Sequence, residues 1–205
     1  VILGDVHSSF FSSKQIDWIE ELVKGSKTDS GGSLLMLAGP VGAPISYVDS
    51  NSTKIPEMLP IRLNLDSRQW FHANSHPVVT ADGMNSSVVS LHPSKDVNNR
   101  IWKTVSPMGY LNGLTAKPGA TVLLSLSGDD DPTVQAYPLV AWQRYGSGKT
   151  MYVGTADLWR LRREVGDQYH ARFWGQAIQF LALSRKLGQN KQITLETGRK
   201  QYATG

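Results

Sequence analysis

The chain has 205 residues, 40% apolar and 19% charged, which predicts one packed domain and excludes disorder throughout. It has no cysteine, which excludes disulfides, cysteine–metal sites and a cysteine nucleophile. No apolar run reaches the roughly 18 residues that a membrane-spanning helix needs. The net charge of +4 comes from residues 185–205, with five basic residues and one acid, so the neutral remainder gives no indication of a nucleic-acid surface.

The first 40 residues predict a strand, a helix and a second strand. Residues 1–6 form an apolar run typical of a buried parallel strand. Ser12 or Ser13 can cap a helix that carries apolar residues on one face, and Gly25 can end it. With a second apolar strand at 33–39, the pattern predicts a right-handed βαβ unit. The chain begins inside its first strand, without Met or a basic leader, so we expect it to be a piece of a longer protein.

The middle of the chain is less regular than its two ends. Residues 40–54 are rich in Gly, Pro, Ser and Asn and predict a long loop, followed by a short strand at 61–65. Few clear periods follow in residues 66–120, apart from a helical turn at 98–103 that would place Trp102 inward.

The last part of the chain again has clear periodicity. Further strands are predicted at 121–126, 137–144 and 150–154. The longest helix is predicted at 168–187, because its apolar residues share one face. We expect residues 1–187 to form one α/β domain and residues 188–205 to be a linker and the first strand of a truncated following β domain.

Three other patterns resemble ligand sites. Residues 146–150, Gly-Ser-Gly-Lys-Thr, resemble a phosphate loop but lack its first glycine and lie between two strands, so we predict a hairpin turn. Asp129–Asp131 lack the alternating spacing of a calcium loop, and we interpret them as a solvated turn. His72, His76 and His92 are interpreted as surface or hydrogen-bonded residues rather than metal ligands.

A dense polar and aromatic stretch at residues 157–174 follows the last predicted strand. In open α/β sheets, ligands bind at the carboxyl ends of strands, so Trp159 with Arg160, Arg162 and Arg163 could form an anion or sugar pocket. The alternative is structural, with Arg–Asp pairs and stacked aromatics anchoring the loop to the last helix, which Asp167 could cap. We favour the structural interpretation.

An ordered set of segments resembles the class I glutamine amidotransferase-like superfamily. Asp5-Val6 and the strand 31–39 match its first βαβ unit. Ile55-Pro56-Glu57-Met58-Leu59-Pro60, residues 118–124 and 145–149, Asp157-Leu158-Trp159-Arg160 and Phe173-Trp174 resemble its inactive-looking branch. That branch occurs in large bacterial membrane-anchored proteins, and the resemblance covers residues 1–187.

The resemblance implies a flavodoxin-like three-layer αβα sandwich, with a mostly parallel sheet and an antiparallel hairpin near the C-terminal end. Active members carry a Cys nucleophile on a turn after a strand, and a His and an acidic residue late in the chain. Here Ala38-Gly39-Pro40 follow the second strand, and Thr155-Ala156-Asp157 stand where active members place the His. The triad is therefore missing in two places, and glutamine hydrolysis of the superfamily's type is not expected.

Three hypotheses follow. The first is a non-catalytic module of a larger cell-envelope protein that packs against flanking domains of the same polypeptide or binds a protein or small anionic ligand. The second is a hydrolase with a non-standard site around Asp5, His7, Asp157 and His170. The third is binding of an anionic polymer by the basic tail. We predict no cofactor, no metal, no nucleic acid and no membrane insertion of this segment. The candidate interaction residues are Asp5, His7, Asp157, Trp159, Arg160, Arg163 and His170.

Overall fold

The computed structural model describes residues 1–26, 30–49, 54–64, 70–73, 75–106, 108–127, 137–163 and 166–189. The strands are β1 (Ile2–Leu3), β2 (Ser33–Leu37), β3 (Ile61–Leu63), β4 (Trp70–Ala73), β5 (His76–Val79), β6 (Met108–Leu111), β7 (Leu114–Ala116), β8 (Thr121–Ser127), β9 (Tyr137–Tyr145) and β10 (Gly148–Val153). The helices are α1 (Ser13–Lys24), α2 (Ile45–Asp49), α3 (Lys54–Met58), α4 (Ala81–Met84), α5 (Lys95–Lys103) and α6 (Gln168–Gln189). Short 3-10 turns cover Ser8–Phe10, Ser87–Val89 and Asp157–Arg162.

Six strands form the main sheet, in the order β1-β2-β10-β9-β8-β5. The pairings β1–β2 and β2–β10 are parallel, and the remaining three are antiparallel. The α/β class and the first βαβ unit are confirmed, but the expectation of a mostly parallel sheet is wrong. The reason is that β5 and β8 to β10 alternate in direction, and an apolar run in a buried strand carries no information about its direction.

The irregular segment 66–120 contains more structure than its sequence indicated. Two small antiparallel ladders, β3–β7 and β4–β6, lie outside the main sheet. The predicted strand at 61–65 is therefore β3, and it pairs with β7. The predicted helical turn at 98–103 is the end of α5, and the Trp102 side chain is fully buried, as expected.

Both faces of the main sheet are buried, because neighbouring residues of one strand enter different cores. In β2, Leu34 and Met36 pack with residues from α1, α2 and α3. Leu35, between them, packs in a second core with Phe173 and Ala177 of α6. Successive side chains of a strand point to opposite faces, so helices α1 to α3 cover one face and α6 covers the other.

Local sequence chemistry sets the ends of α1. Ser12 caps the helix and forms a capping box with Gln15, in which each side chain accepts a hydrogen bond from the other residue's amide. Gly25 ends it with a positive φ of 65°, a conformation that glycine adopts without strain. Both boundaries agree with the sequence expectation.

The glycine-rich segment after β9 is a hairpin turn, as predicted. Gly146 adopts a φ of 59°, and the Ser147 amide donates a hydrogen bond of 2.9 Å to the Lys24 carbonyl. A Cβ atom at Gly148 would overlap the carbonyl oxygens of Gly32 and Val23. The glycines allow the turn to pack on the end of α1, and strands flank them on both sides.

Some predictions lie outside the described residues, namely the acidic turn at Asp129–Asp131 and the strand of a following domain at 193–197. The long helix is confirmed and extends to Gln189. Across the described ranges, no helix combines the length and apolar character that crossing a bilayer requires.

Candidate functional site

The three parallel strands end at the same edge of the sheet, and the segments that follow them form the candidate site. These segments begin after Leu3 in β1, after Leu37 in β2 and after Val153 in β10. The chain leaves β2 towards α2 on one face and leaves β10 towards α6 on the other. Such a divergence between neighbouring strands opens a crevice at their carboxyl ends, where α/β proteins bind ligands.

Asp5, at the exit of β1, holds the loop that follows β2. One carboxylate oxygen accepts hydrogen bonds from the amides of Gly42 and Ala43, at 2.7 and 2.9 Å. The other oxygen accepts one from the amide of Val41, at 2.9 Å. A Cβ atom at Gly39 would overlap this carboxyl group. Asp5 therefore organises the loop, and the loop has no room for a side chain at position 39.

His7 caps the short 3-10 turn that follows Asp5. Its Nδ1 accepts a hydrogen bond from the Ser9 amide at 3.2 Å and lies 2.9 Å from Ser9 Oγ. Next to it, Ser8 Oγ donates to the Ser46 carbonyl at 2.8 Å, and the Ser8 amide donates to Ser46 Oγ at 2.9 Å. This segment is thereby attached to α2.

Asp157, at the exit of β10, connects that strand to β6. Its Oδ2 accepts a hydrogen bond of 2.6 Å from the Gly109 amide. Its Oδ1 accepts one of 3.2 Å from the Trp159 indole and lies 3.4 Å from Arg160 Nε. The Asp157 amide donates to Thr155 Oγ1 at 3.0 Å, so both ends of the residue are fixed.

Trp159 lies beside two guanidinium groups at the same edge. The guanidinium carbons of Arg160 and Arg163 are 5.0 and 5.6 Å from the indole centroid, within cation–π range. Trp159 is 49% exposed, whereas Arg160 Nε is buried and forms no hydrogen bond with the described residues. We call Asp157, Trp159, Arg160 and Arg163 the Trp159 surface; it combines an accessible aromatic face with two cations.

His170, on α6, belongs to a separate local group. Its Nε2 accepts a hydrogen bond of 3.0 Å from the Trp174 indole, and its Nδ1 lies 3.3 Å from Arg162. Arg162 also forms an ion pair of 2.7 Å with Asp167. Burial and the charge of Arg162 lower the pKa of His170, and Asp167 partly opposes this effect. These contacts anchor the start of α6, as the structural interpretation of the stretch expects.

The seven candidate residues thus fall into three groups rather than one. Asp5 and His7 lie with the loop after β2, the Trp159 surface lies after β10, and His170 lies on α6. Within the described part of the chain, no hydrogen bond or ion pair joins any two of Asp5, His7, Asp157 and His170. The described residues likewise contain no group of three or more acidic or histidine side chains placed to hold a metal ion.

Sequence reasoning missed two features near these segments. The first is the Asp157–Gly109 hydrogen bond, which joins residues 48 positions apart and has no local sequence signature. The second is a cleft of about 490 Å³ between the loop after β2, α3 and β3, far from the Trp159 stretch in sequence. The sequence at 55–63, in which prolines and apolar residues alternate, is typical of an ordinary turn and strand and does not indicate a cleft.

Comparisons with known proteins support only the fold. No family model and no curated protein sequence matches the chain. The cytoplasmic protein STM1381 from Salmonella typhimurium LT2 is 20% identical with a TM-score of 0.59, over 88% of this chain and 70% of that one. The cytoplasmic protein STM3548 from Salmonella typhimurium gives the same values. A β-galactosidase from Bacillus circulans sp. alkalophilus is 12% identical with a TM-score of 0.47, over 91% of this chain and 22% of the β-galactosidase chain. A similarity at this level supports no conclusion about the present chain.

Proposed function

We propose that this chain is a non-catalytic module of the class I glutamine amidotransferase-like type, with a flavodoxin-like three-layer arrangement, inside a larger cell-envelope protein. Its role is to bind an anionic group of a flanking domain, a protein partner or a small ligand through the Trp159 surface. The envelope setting rests on the resemblance to the inactive-looking branch. The observation that carries the proposal is that the polar groups at the carboxyl ends of the parallel strands, Asp5 and Asp157, form hydrogen bonds that hold the surrounding loops in place.

The exit of β2 is where an active relative would carry its nucleophile. Here Ala38, Gly39 and Pro40 occupy it, and none of them can attack a carbonyl. The amides of the following loop donate to the Asp5 carboxylate, so they are not available to a developing oxyanion. The arrangement supports a structural role for this loop.

The exit of β10 supports the same conclusion. Asp157 stands where active relatives place a His, and both of its oxygens already accept hydrogen bonds, from Gly109 and Trp159. A general base needs an acceptor directed at the substrate. Asp157 instead fixes the position of the indole beside it.

Binding chemistry remains available at the Trp159 surface. Arg163 is exposed, and in the described residues its guanidinium contacts the indole but no carboxylate. Guanidinium groups recognise carboxylates and phosphates through paired N–H donors, and an adjacent indole adds a flat apolar face. The surface therefore suits an oxyanion attached to a planar or apolar group.

The test is a titration of the protein with inorganic phosphate, observed through the NMR signal of the Trp159 indole N–H. We expect a saturable shift in the wild type, and binding weaker by about tenfold in Arg163→Gln, which loses a charge-assisted contact. Lys95→Gln, which removes an exposed cation on α5, should bind as the wild type does. The absence of a shift, or an equal affinity in Arg163→Gln, would overturn the proposed binding role.

A further inference from the structure

A cleft of about 490 Å³ lies on the face of the sheet that α1 to α3 cover, away from the Trp159 surface. Its apolar lining consists of Pro44, Val48, Pro56, Leu59, Ile61 and Leu63. Glu57, Arg62 and Lys117 supply the charged part of the lining. The volume falls within the range of small-molecule sites, which are mostly apolar with a few placed polar groups.

Contacts between distant segments hold the α3 wall of this cleft in place. The Gln143 side-chain amide donates hydrogen bonds of 2.8 and 3.0 Å to the carbonyls of Met58 and Leu59. Thr150 Oγ1, in β10, also donates to the Met58 carbonyl. The wall is therefore attached to the centre of the sheet, and the cleft is formed before any ligand arrives.

Lys117 is a fixed cation at the edge of the cleft. Its Nζ donates to the carbonyls of Pro56 and Glu57, at 2.6 and 2.9 Å, and an ammonium group has three N–H donors. Among the residues that the structure describes, one donor is therefore left for a ligand. Burial and the nearby charge of Arg62 lower the pKa of Lys117, and the charge of Glu57 partly opposes this effect.

Arg62 supplies the second cation, on the exposed side of β3. Within the described ranges, no carboxylate forms an ion pair with it. Glu57, the acid in the lining, is exposed and acts on Lys117 through its charge. The lining therefore combines an apolar floor with an excess of positive charge.

From this arrangement we infer that the cleft binds an amphipathic carboxylate, a single anionic head on an aliphatic chain, with the head at Arg62 and Lys117 and the chain on the apolar floor. Charge complementarity selects the anionic head, and the apolar lining selects the chain. A free inorganic anion would leave the apolar floor in water, and a neutral alcohol would bring no negative charge to the two cations. The site is separate from the Trp159 surface, so the two proposals stand or fall independently.

The probe is octanoate, titrated calorimetrically into the whole chain, with acetate and octan-1-ol as comparison ligands. We expect saturable binding of octanoate, and binding at least about tenfold weaker for acetate, which lacks the chain, and for the alcohol, which lacks the charge. Equal binding of octanoate and octan-1-ol would overturn the anionic part of the inference. No binding of octanoate would overturn it entirely.

Variants locate the binding. Arg62→Gln removes an exposed cation and should weaken octanoate binding about tenfold. Leu63→Trp should fill the cleft and abolish it, while circular dichroism shows whether the variant remains folded. Lys95→Gln, outside both the cleft and the Trp159 surface, is the matched control and should bind as the wild type does. Octanoate binding that is unchanged in both folded cleft variants would overturn the inference. It would also be overturned if the wild type were a dimer and Leu63→Trp dissociated it, because the cleft would then be an interface between two copies of the chain.

Discussion

The Asp5 carboxylate accepts a 2.7 Å hydrogen bond from the Gly42 amide, and this contact joins the exits of two neighbouring parallel strands. The amides of Val41 and Ala43 complete the arrangement. A carboxylate that accepts three main-chain hydrogen bonds stabilises a loop rather than a reaction, because three of its roughly four acceptor positions are already occupied. This relationship is the physical basis for interpreting the carboxyl edge as structural.

Asp5→Ala should strongly destabilise the fold. It leaves three amides without their acceptor, those of Gly42 and Ala43 in partly buried contacts, and we expect the free energy of unfolding to fall by about 3 kcal/mol. Asp5→Asn keeps one acceptor oxygen and should cost about 1 kcal/mol. Urea denaturation measures both. Asp96→Asn, at the exposed start of α5, is the control and should change stability by less than about 1 kcal/mol; a similar value for Asp5→Ala would contradict the assigned role.

Two glycine substitutions should change stability in opposite directions. Gly148→Ala introduces a Cβ atom that overlaps the main-chain oxygens of Gly32 and Val23, and overpacking of this kind costs about 1–3 kcal/mol. Gly175 is exposed inside α6, with open space around its Cβ position, so Gly175→Ala should stabilise the protein by about 0.5–1 kcal/mol. Thermal unfolding of both variants checks the pair. If both substitutions changed the thermal stability by the same amount in the same direction, the close packing of the β9–β10 hairpin on the end of α1 would be contradicted.

The His170 group predicts a loss of stability in mild acid. Its folded-state pKa lies below the ordinary value of 6.5, so the unfolded chain takes up the proton first as the pH falls. The stabilisation by neutral His170 is complete above about pH 6.5 and is lost as the pH falls towards the folded-state pKa. His170→Gln removes this dependence. The difference in unfolding free energy between wild type and variant should therefore shrink from about pH 7.5 to about pH 5; a constant or growing difference would contradict it.

Parts of the fold could be predicted because local chemistry determines them. Ser12 and Gly25 mark the ends of α1, the turn at Gly146 marks the β9–β10 hairpin, and one apolar face marks α6. Each of these signals involves residues a few positions apart. The direction of the remaining strands depends instead on pairings between distant segments, such as β5 with β8, and buried strands of either direction have similar sequences.

The sequence was sufficient to select residues of the candidate site, but not to predict the hydrogen bonds that they form with distant segments. Asp157 and Trp159 were expected together, and their hydrogen bond depends only on their spacing of two residues. The partner of Asp157 on the other side, the Gly109 amide, is set by tertiary structure. The hydrolase hypothesis required Asp5, His7, Asp157 and His170 to lie within hydrogen-bond reach of one another, but in the described residues they form their hydrogen bonds within three local groups, of which Asp5 and His7 share one.

The central claim is that this module performs no hydrolysis, and a turnover assay tests it most directly. Purified wild-type protein would be incubated with glutamine, p-nitrophenyl acetate and an amino-acid p-nitroanilide, beside Asp157→Asn and His170→Gln. We predict that no protein exceeds the rate of the buffer and that the variants do not differ from the wild type. Turnover by the wild type that a single substitution at Asp157 or His170 abolishes would contradict the account.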